Sequence, residues 1–264
     1  MLTLTKHHAL GNDFLVVFHP GVDDLPGLAR RVCDRRRGIG ADGLLVAEAA
    51  EGYAAEMVLY NADGSRAEMS GNGIRCFAQA LAAKRGDMST QRILTDAGDR
   101  VVTLFATEDP ATIQASVDMG EVRPIDEPSD WGVLGCHPDR PVLHLSLGNP
   151  HSVVGVDDVD VVDLLTLGRK VPHVNLEIVE AGEHQHEVRM LVHERGAGIT
   201  EACCTGACAA AFAAASWSLA TPRDGKLVVH MDGGSATVTL DSPQPGRVTL
   251  TGPATHIGTV EIDV

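Results

Sequence analysis

The sequence has 264 residues, of which 44% are apolar and only 3% aromatic, and its formal net charge is −15. This length and apolar content suffice for one large domain or two lobes, with a core built from Val, Leu, Ile and Ala. The negative charge excludes a protein that binds nucleic acid or an anionic membrane through a broad basic surface.

Membrane and secretory signals are missing from the sequence. No run approaches the roughly 18 apolar residues that span a bilayer, and the opening MLTLTKHHALGNDF lacks the apolar segment of a secretory signal. Six clustered cysteines are too few for a disulfide scaffold at this length, so we expect free thiols. The sequence therefore predicts a cytoplasmic protein without a nucleic-acid or membrane partner.

Strand-like and helix-like patterns alternate along the chain. Alternating apolar and polar residues bounded by turn residues predict strands, while small apolar runs predict helices. In chain order these are a helix at 74–84, strands within 93–107, a linker at 120–140, a strand at 187–194, a helix at 207–220, and strands within 226–240 and 247–253. The second helix is rich in alanine, which suits a helix enclosed by sheet.

Three segments recur in the same order about half a chain later, which indicates an internal duplication. The pairs are 10–12 with 147–149, 70–73 with 203–206, and 96–104 with 232–240. The predicted fold class is therefore α+β, with two pseudo-symmetric lobes that are each a curled mixed β-sheet around a central helix. We place the lobes at 1–118 and 119–264 and leave open whether the last strand returns to the N-terminal lobe.

The segments 70–73 and 203–206 read as the mouths of two helices. Small residues there let an anion approach the unpaired N–H groups and the positive end of the helix dipole. If a two-fold axis relates the lobes, these mouths face each other and hold an anionic group such as a carboxylate. Serine at 70 is also an ordinary N-cap, but cysteine has no capping advantage. A thiol at a helix mouth is expected to have a lowered pKa, which makes Cys203 a candidate base or nucleophile.

Five segments together resemble the diaminopimelate epimerase family along nearly the whole chain. They are HALGNDFLVV (8–17), GIGADGLL (38–45), NADGSRAEMSGNGIRCFA (61–78), LGNPHSVV (147–154) and HERGAGITEACCTGACAA (193–210). The resemblance implies epimerisation of LL-diaminopimelate to meso-diaminopimelate, in lysine and cell-wall biosynthesis, without a cofactor. It also implies two bases, one removing the α-proton and one returning a proton on the other face. Members are commonly homodimers.

The resemblance also assigns roles to residues of this sequence. Cys203 matches one base and Ser70 stands at the position of the other. Substrate-binding positions are matched by Asn12, Asn61, Gly71, Asn72, Asn149, Asn175, Glu194, Arg195, Cys204 and Thr205, and a supporting position by His151. An arginine fork and a nearby acid suit a substrate that carries an amino-acid group at each end.

Several of these residues also have a purely structural interpretation. Asn12 and Asn149 follow glycine and could be turn residues, Glu194 and Arg195 could form an exposed ion pair, and His151 could simply be packed. Asp42–Gly43, within the GIGADG segment at 38–43, reads as a tight turn. A zinc site from Cys203, Cys204, Cys208 and His193 lacks the paired spacing of structural zinc, so we expect no metal.

Two departures from the family pattern leave the mechanism open. The family has cysteine where this chain has Ser70, and glycine where it has Cys204. A hydroxyl is much harder to ionise than a thiol, so Ser70 could return a proton slowly, or take part in one-sided proton removal as in a dehydratase. The branch could also act on a different amino acid, with Cys204 or Cys76 compensating. A catalytically silent amino-acid-binding protein is the remaining hypothesis.

Overall fold

The protein is described here by a computed structural model in which residues 1–263 can be described. The chain forms two compact units, one of residues 1–117 together with 252–263, and one of residues 118–251. Each unit combines a mixed β-sheet with two α-helices, so the fold class is α+β.

The first unit takes its strands from both ends of the chain. Its elements are β1 (Leu2–Ala9), β2 (Asn12–Phe18), α1 (Leu25–Cys33), β3 (Gly43–Glu48), β4 (Ala55–Asn61), β5 (Arg66–Ala67), α2 (Gly71–Arg85), β6 (Gln91–Thr95), β7 (Gly98–Ala106), the first part of β8 (Thr112–Glu121) and the last part of β17 (Arg247–Ile262). The main strand order is β17–β1–β2–β3–β4–β6–β7–β8. A hydrogen bond from His256 N to Ala111 O joins the two ends of this order, so the sheet closes on itself.

Two of these pairings are parallel, β2 with β3 and β4 with β6. A parallel neighbour needs a crossover connection, and α1 and α2 supply the two crossovers. Crossover α1 packs its buried residues against one side of the sheet, in an apolar layer with Leu4, Leu15 and Tyr60.

The second unit repeats this arrangement element by element. Its elements are the last part of β8, β9 (Arg123–Pro124), a short 3₁₀-helix (Trp131–Leu134), β10 (Val142–Ser146), β11 (Pro150–Gly155), α3 (Leu164–Lys170), β12 (Asn175–Ala181), β13 (Glu187–Glu194), β14 (Gly198–Thr200), α4 (Cys204–Ser216), β15 (Lys226–Met231), β16 (Gly234–Leu240) and the first part of β17. The order is β9–β10–β11–β12–β13–β15–β16–β17, with β11/β12 and β13/β15 parallel. The matching orders confirm the duplicated fold predicted from the repeated segments.

Each unit has one helix that is buried on nearly every side. Every residue from Gly71 to Ala82 of α2 is buried, and α4 has the same character. Helix α4 packs against β10, β11, β12, β13, β15 and β16, and this is why alanine fills most of its positions. A helix that is apolar or small all round belongs inside a protein.

The observed helix bounds differ from the predicted ones for local reasons. Helix α2 begins at Gly71, three residues before the predicted start, because its glycines lie in the capped first turn. Helix α4 runs from Cys204 to Ser216 instead of over 207–220. It ends there because Ser218 is left-handed (φ 58°) and Leu219 N turns back to Ala214 O, which is the hydrogen bond of a Schellman motif.

Candidate active site

The cysteine singled out from the sequence lies directly before helix α4 of the second unit. Cys203 is the N-cap, with extended backbone (φ −127°, ψ 114°), and its sulfur accepts a hydrogen bond from Gly206 N at 3.4 Å. The Thr205 hydroxyl lies 3.5 Å from the same sulfur. Cys203 is only 5% exposed and Cys204 only 4%. The sulfur therefore occupies the place of an N-cap oxygen and is held by neighbours of the first helical turn.

The prediction that the helix mouth lowers the pKa of Cys203 is wrong for this structure. Burial raises the pKa of the thiol well above its ordinary value, and the negative charge of Glu194 acts in the same direction. The hydrogen bonds from Thr205 and Gly206 lower the pKa, but by less than burial raises it. Removing a sulfur from water disfavours the charged thiolate, and that cost exceeds the benefit of two weak donors.

A chain of hydrogen bonds runs from the interior of the second unit to this sulfur. His151 Nδ1 lies 2.6 Å from Glu177 Oε1, and both side chains are completely buried. His151 Nε2 lies 3.0 Å from Asn149 Oδ1, and Asn149 Nδ2 donates to Thr205 Oγ1 at 3.2 Å. Asn149 and His151, both predicted from the sequence, are thereby linked to Cys203 through Thr205.

The other predicted residues of the second unit lie at the adjacent strand ends. Asn175 donates from Nδ2 to Pro150 O at 3.1 Å and accepts from Arg195 N at 2.8 Å. Glu194 Oε1 accepts from the Thr200 hydroxyl at 2.5 Å. These bonds fix the backbone around Arg195.

Helix α2 of the first unit begins in the same way with an oxygen in place of the sulfur. Ser70 is the N-cap, in extended conformation (φ −131°, ψ 126°), and its Oγ accepts from Gly73 N at 3.0 Å. Arg75 is completely buried and donates to Gly71 O at 3.1 Å and to Asn72 Oδ1 at 2.7 Å. The buried guanidinium therefore stabilises the first turn of α2 by hydrogen bonds.

Asn12 and Asn61 of the first unit are held by local polar neighbours. Asn12 Nδ2 donates to Asp42 Oδ2 at 2.6 Å, and Asn61 Nδ2 donates to Ser65 Oγ at 3.0 Å. Asp42 also accepts from Arg35 at 2.7 Å. The tight-turn interpretation of 38–43 is therefore incomplete, because Gly43 is the first residue of β3 and Asp42 belongs to an ion-pair cluster.

That cluster is centred on a carboxylate that sequence reasoning missed. Asp13 receives Arg35 at 2.7 Å and Lys6 at 2.9 Å. Burial raises the pKa of Asp13, but the Arg35 and Lys6 cations outweigh this and hold it below its usual range. In the sequence, Asp13 was indicated by its position directly after Asn12, a predicted site residue.

Two further missed residues, Glu177 and Arg75, are charged side chains inside apolar runs. Glu177 lies in NLEIVEA of β12 and Arg75 in GNGIRCFAQALAAKR of α2. A fully buried charge is rarely retained without a partner. The isolated charge between apolar neighbours was therefore a usable signal in both cases.

The strand registers show which residues of the two units are equivalent. Phe14 lies opposite Gly43 in the β2/β3 pair, as His151 lies opposite Asn175 in the β11/β12 pair. Two residues further along, Leu45 is equivalent to Glu177.

The glycines at the helix mouths support the same assignment. A Cβ added at Gly73 would lie 3.4 Å from Leu45 Cδ2, and one at Gly206 would lie 2.8 Å from Glu177 Oε1. The first unit thus has apolar residues where the second has a buried His–Glu pair.

Solved structures share this arrangement of the chain. A phenazine biosynthesis protein of the PhzF family from Bacillus anthracis matches with a TM-score of 0.78 and 15% identity, over 100% of this chain and 99% of the other. A predicted epimerase from Pseudomonas aeruginosa matches with a TM-score of 0.76 and 13% identity, over 100% of both chains. These two likenesses show the fold that the chain shares with both proteins.

Sequence comparison gives the class of protein, an isomerase that works without pyridoxal phosphate, and the family. The family model described as diaminopimelate epimerase matches residues 4–125 and 144–257. A diaminopimelate epimerase from Agathobacter rectalis is 36% identical over 294 aligned positions, which cover 100% of both chains. The chain therefore belongs to the diaminopimelate epimerase family, as the five segments predicted.

Across residues 1–263, no helix is long and apolar enough to cross a bilayer.

Proposed function

We propose that this protein interconverts LL- and meso-diaminopimelate by removing and returning the proton on one α-carbon, a step of lysine biosynthesis. The observation that carries the proposal is the Cys203 sulfur, which caps α4 and faces two hydrogen-bond donors, Gly206 N and the Thr205 hydroxyl. A sulfur held in this way can accept a proton from carbon once it is ionised, because the donors stabilise the thiolate that does so.

The first turn of each buried helix is assigned to charge stabilisation. The backbone N–H groups at Cys204 and Thr205 are assigned to the α-carboxylate, where negative charge accumulates as the α-proton leaves. Gly71 and Asn72 offer equivalent donors at the start of α2. These donors are proposed to stabilise the negative charge that the pyridine ring of pyridoxal phosphate stabilises in other isomerases.

Asparagines and one charged pair are assigned to the rest of the substrate. Arg195 suits the distal carboxylate and Glu194 the distal ammonium group, while Asn12, Asn61, Asn149 and Asn175 suit its remaining polar atoms. The backbone at Arg195 is already fixed by Asn175.

Ser70 is the group proposed to return the proton in the LL-to-meso direction. A serine hydroxyl is a far weaker acid than a thiol, so this half of the reaction is expected to be slower than removal by Cys203. A related racemase or dehydratase chemistry is the second candidate, and Ser70 is the observation that favours it.

Incubation with LL-diaminopimelate in deuterium oxide separates these functions. We expect α-deuterium to enter the substrate and meso product to form. Exchange without inversion indicates one working base, which is also the result expected of a dehydratase, because diaminopimelate has no β-hydroxyl group to lose. Binding without exchange contradicts the proposal and leaves a binding protein.

The resemblance to the family also leads us to propose a homodimer that acts in the cytoplasm. None of the six cysteines forms a disulfide in the structure, which suits a reducing compartment. Light scattering on the purified protein tests the dimer, and a monomer mass at working concentrations contradicts it. Cell fractionation tests the location.

A further inference from the structure

His151 and Glu177 form a buried pair in the second unit. Both side chains are 0% exposed, and Nδ1 and Oε1 are 2.6 Å apart. Gly206 leaves room for the carboxyl beneath the first turn of α4, since a Cβ there would come within 2.8 Å of Oε1. The pair is therefore packed directly under the turn that carries the Cys203 sulfur.

The hydrogen bonds beyond His151 have one consistent direction. Asn149 Nδ2 donates to Thr205 Oγ1, so Asn149 presents its carbonyl oxygen to His151 Nε2. An oxygen there requires Nε2 to carry a proton. Because Thr205 Oγ1 accepts from Asn149, its own hydrogen is available to the Cys203 sulfur 3.5 Å away.

This direction determines how many protons the pair holds. With Nε2 protonated, a neutral histidine presents a lone pair at Nδ1, and a carboxylate 2.6 Å away would oppose it with another lone pair. One proton must therefore lie between Nδ1 and Oε1. It belongs either to an imidazolium facing a carboxylate or to a carboxylic acid facing a neutral imidazole.

The surroundings of Glu177 favour the carboxylic acid. Among the described residues no protein donor reaches Oε2, which is buried. Burying a carboxylate with one oxygen that accepts no hydrogen bond costs much free energy. The cost is much smaller when that oxygen is the carbonyl oxygen of a carboxylic acid. Burial also raises the pKa of Glu177, although the charge of a protonated His151 and its hydrogen bond oppose this.

We propose that Glu177 is a positioning residue which, in its protonated form, donates to Nδ1 of a neutral His151 and so fixes the direction of the hydrogen bonds that end on the Cys203 sulfur. The carboxyl does not touch the substrate and gains or loses no proton during turnover. Its effect on the reaction rests on the proposed function, but its effect on His151 does not. The equivalent Leu45 and Phe14 offer Ser70 no such support.

Two substitutions distinguish a protonated Glu177 from an ionised one. Glu177→Gln replaces the O–H donor by an amide N–H donor of the same size, so kcat is expected to stay within about threefold of the wild type. Glu177→Leu leaves Nδ1 without a partner. In metal sites the groups that orient a histidine are worth about 10- to 100-fold, and a fall in kcat of that order, with a smaller change in KM, is expected.

The second readout is the ¹⁵N spectrum of histidine side chains in the intact protein at pH 7. The His151 signals, assigned by their loss in His151→Gln, are expected to show a protonated Nε2 and an unprotonated Nδ1, in the wild type and in Glu177→Gln. In Glu177→Leu this single tautomer is expected to be lost. The matched control is Glu180→Leu on the same strand, which removes a bond to Val159 N and should leave the His151 signals unchanged.

Three results overturn the proposal: an imidazolium at His151 in the wild type, a Glu177→Gln variant as slow as Glu177→Leu, or a Glu177→Leu variant with the tautomer and kcat of the wild type. A wild-type protein without α-proton exchange contradicts the proposed function instead. The histidine spectra still decide the role of Glu177 in that case.

Discussion

At the residue scale, Ser70 and Cys203 occupy the same position on equivalent helices but differ in chemistry. Each caps its helix by accepting from the backbone N–H three residues on, that of Gly73 or Gly206. Serine is favoured at an N-cap for that reason alone. Cysteine gains little from capping. Capping therefore accounts for Ser70, whereas Cys203 requires a functional explanation.

Replacing Ser70 by cysteine should speed inversion. A thiol gives up a proton near pH 8.5 in the absence of other effects, so Ser70→Cys offers a proton donor much better matched to neutral pH. We expect the rate of meso formation to rise about tenfold or more, measured by chiral separation of the product. Ser216→Cys, at an exposed serine of α4, is the control. Equal rates in wild type and Ser70→Cys would mean that Ser70 does not handle the proton.

The residue scale is also where prediction from sequence was weakest. The motifs located Cys203, Asn149 and His151, which the structure connects by hydrogen bonds. They did not locate Glu177, because a carboxyl in a strand is normally assigned to a solvated face. Nor could sequence give the pKa of Cys203, since burial depends on what encloses the helix.

At the scale of elements, the two buried helices were the most predictable features. Alanine and other small residues repeat through α4 because six strands surround it. The end of α4 was less predictable, because it depends on a left-handed serine instead of a glycine. The glycine at position 206 has a separate reason, which is the close approach of the Glu177 side chain from β12 beneath.

Adding a methyl group at Gly206 tests that close approach. Its Cβ would meet Glu177 Oε1 at 2.8 Å, which is closer than real Cβ contacts allow, and Cys203 Sγ at 3.2 Å, which is tighter than most of them. Gly206→Ala should therefore displace the sulfur and lower kcat by about tenfold or more, as misplacement of a reacting group by 1 Å can cost about 100-fold.

The matched control for this test is Gly73→Ala in the first unit. Its nearest contacts, Ser70 Cβ at 3.1 Å, Ser70 Oγ at 3.3 Å and Leu45 Cδ2 at 3.4 Å, are looser than the contact with Glu177 at Gly206. Steady-state kinetics of both variants gives the comparison. A larger loss in Gly73→Ala than in Gly206→Ala would contradict the packing described at the two helix mouths.

At the scale of the whole molecule, the duplicated fold followed from three repeated segments, because repeated sequence gives repeated strand order. The stability of the molecule against acid depends on a residue that no motif includes. His7 of β1 is 1% exposed and contacts Gln79 Oε1 at 2.8 Å and Thr5 Oγ1 at 2.9 Å. Burial lowers its pKa from 6.5 to about 4, against the effect of the Gln79 hydrogen bond.

The consequence is a loss of stability as pH falls from about 6.5 to about 4. In that window the unfolded chain binds a proton at His7 and the folded chain does not. The free energy of unfolding therefore decreases as the pH falls, by up to about 3 kcal/mol. Above pH 6.5 this contribution is complete. Urea unfolding at pH 7 and pH 4 should show a smaller difference for His7→Gln than for the wild type. Equal differences would contradict the assignment.

The most direct test of the catalytic role given to Cys203 is the rate of α-deuterium incorporation into LL-diaminopimelate by a Cys203→Ala variant. Cys136→Ala, outside the site, serves as the control. The thiol of Cys203 is the group proposed to remove the proton, so the variant should lose exchange while the control keeps it, and Ser70→Ala should lose mainly inversion. A Cys203→Ala variant that exchanges as fast as the wild type would show that another group is the base.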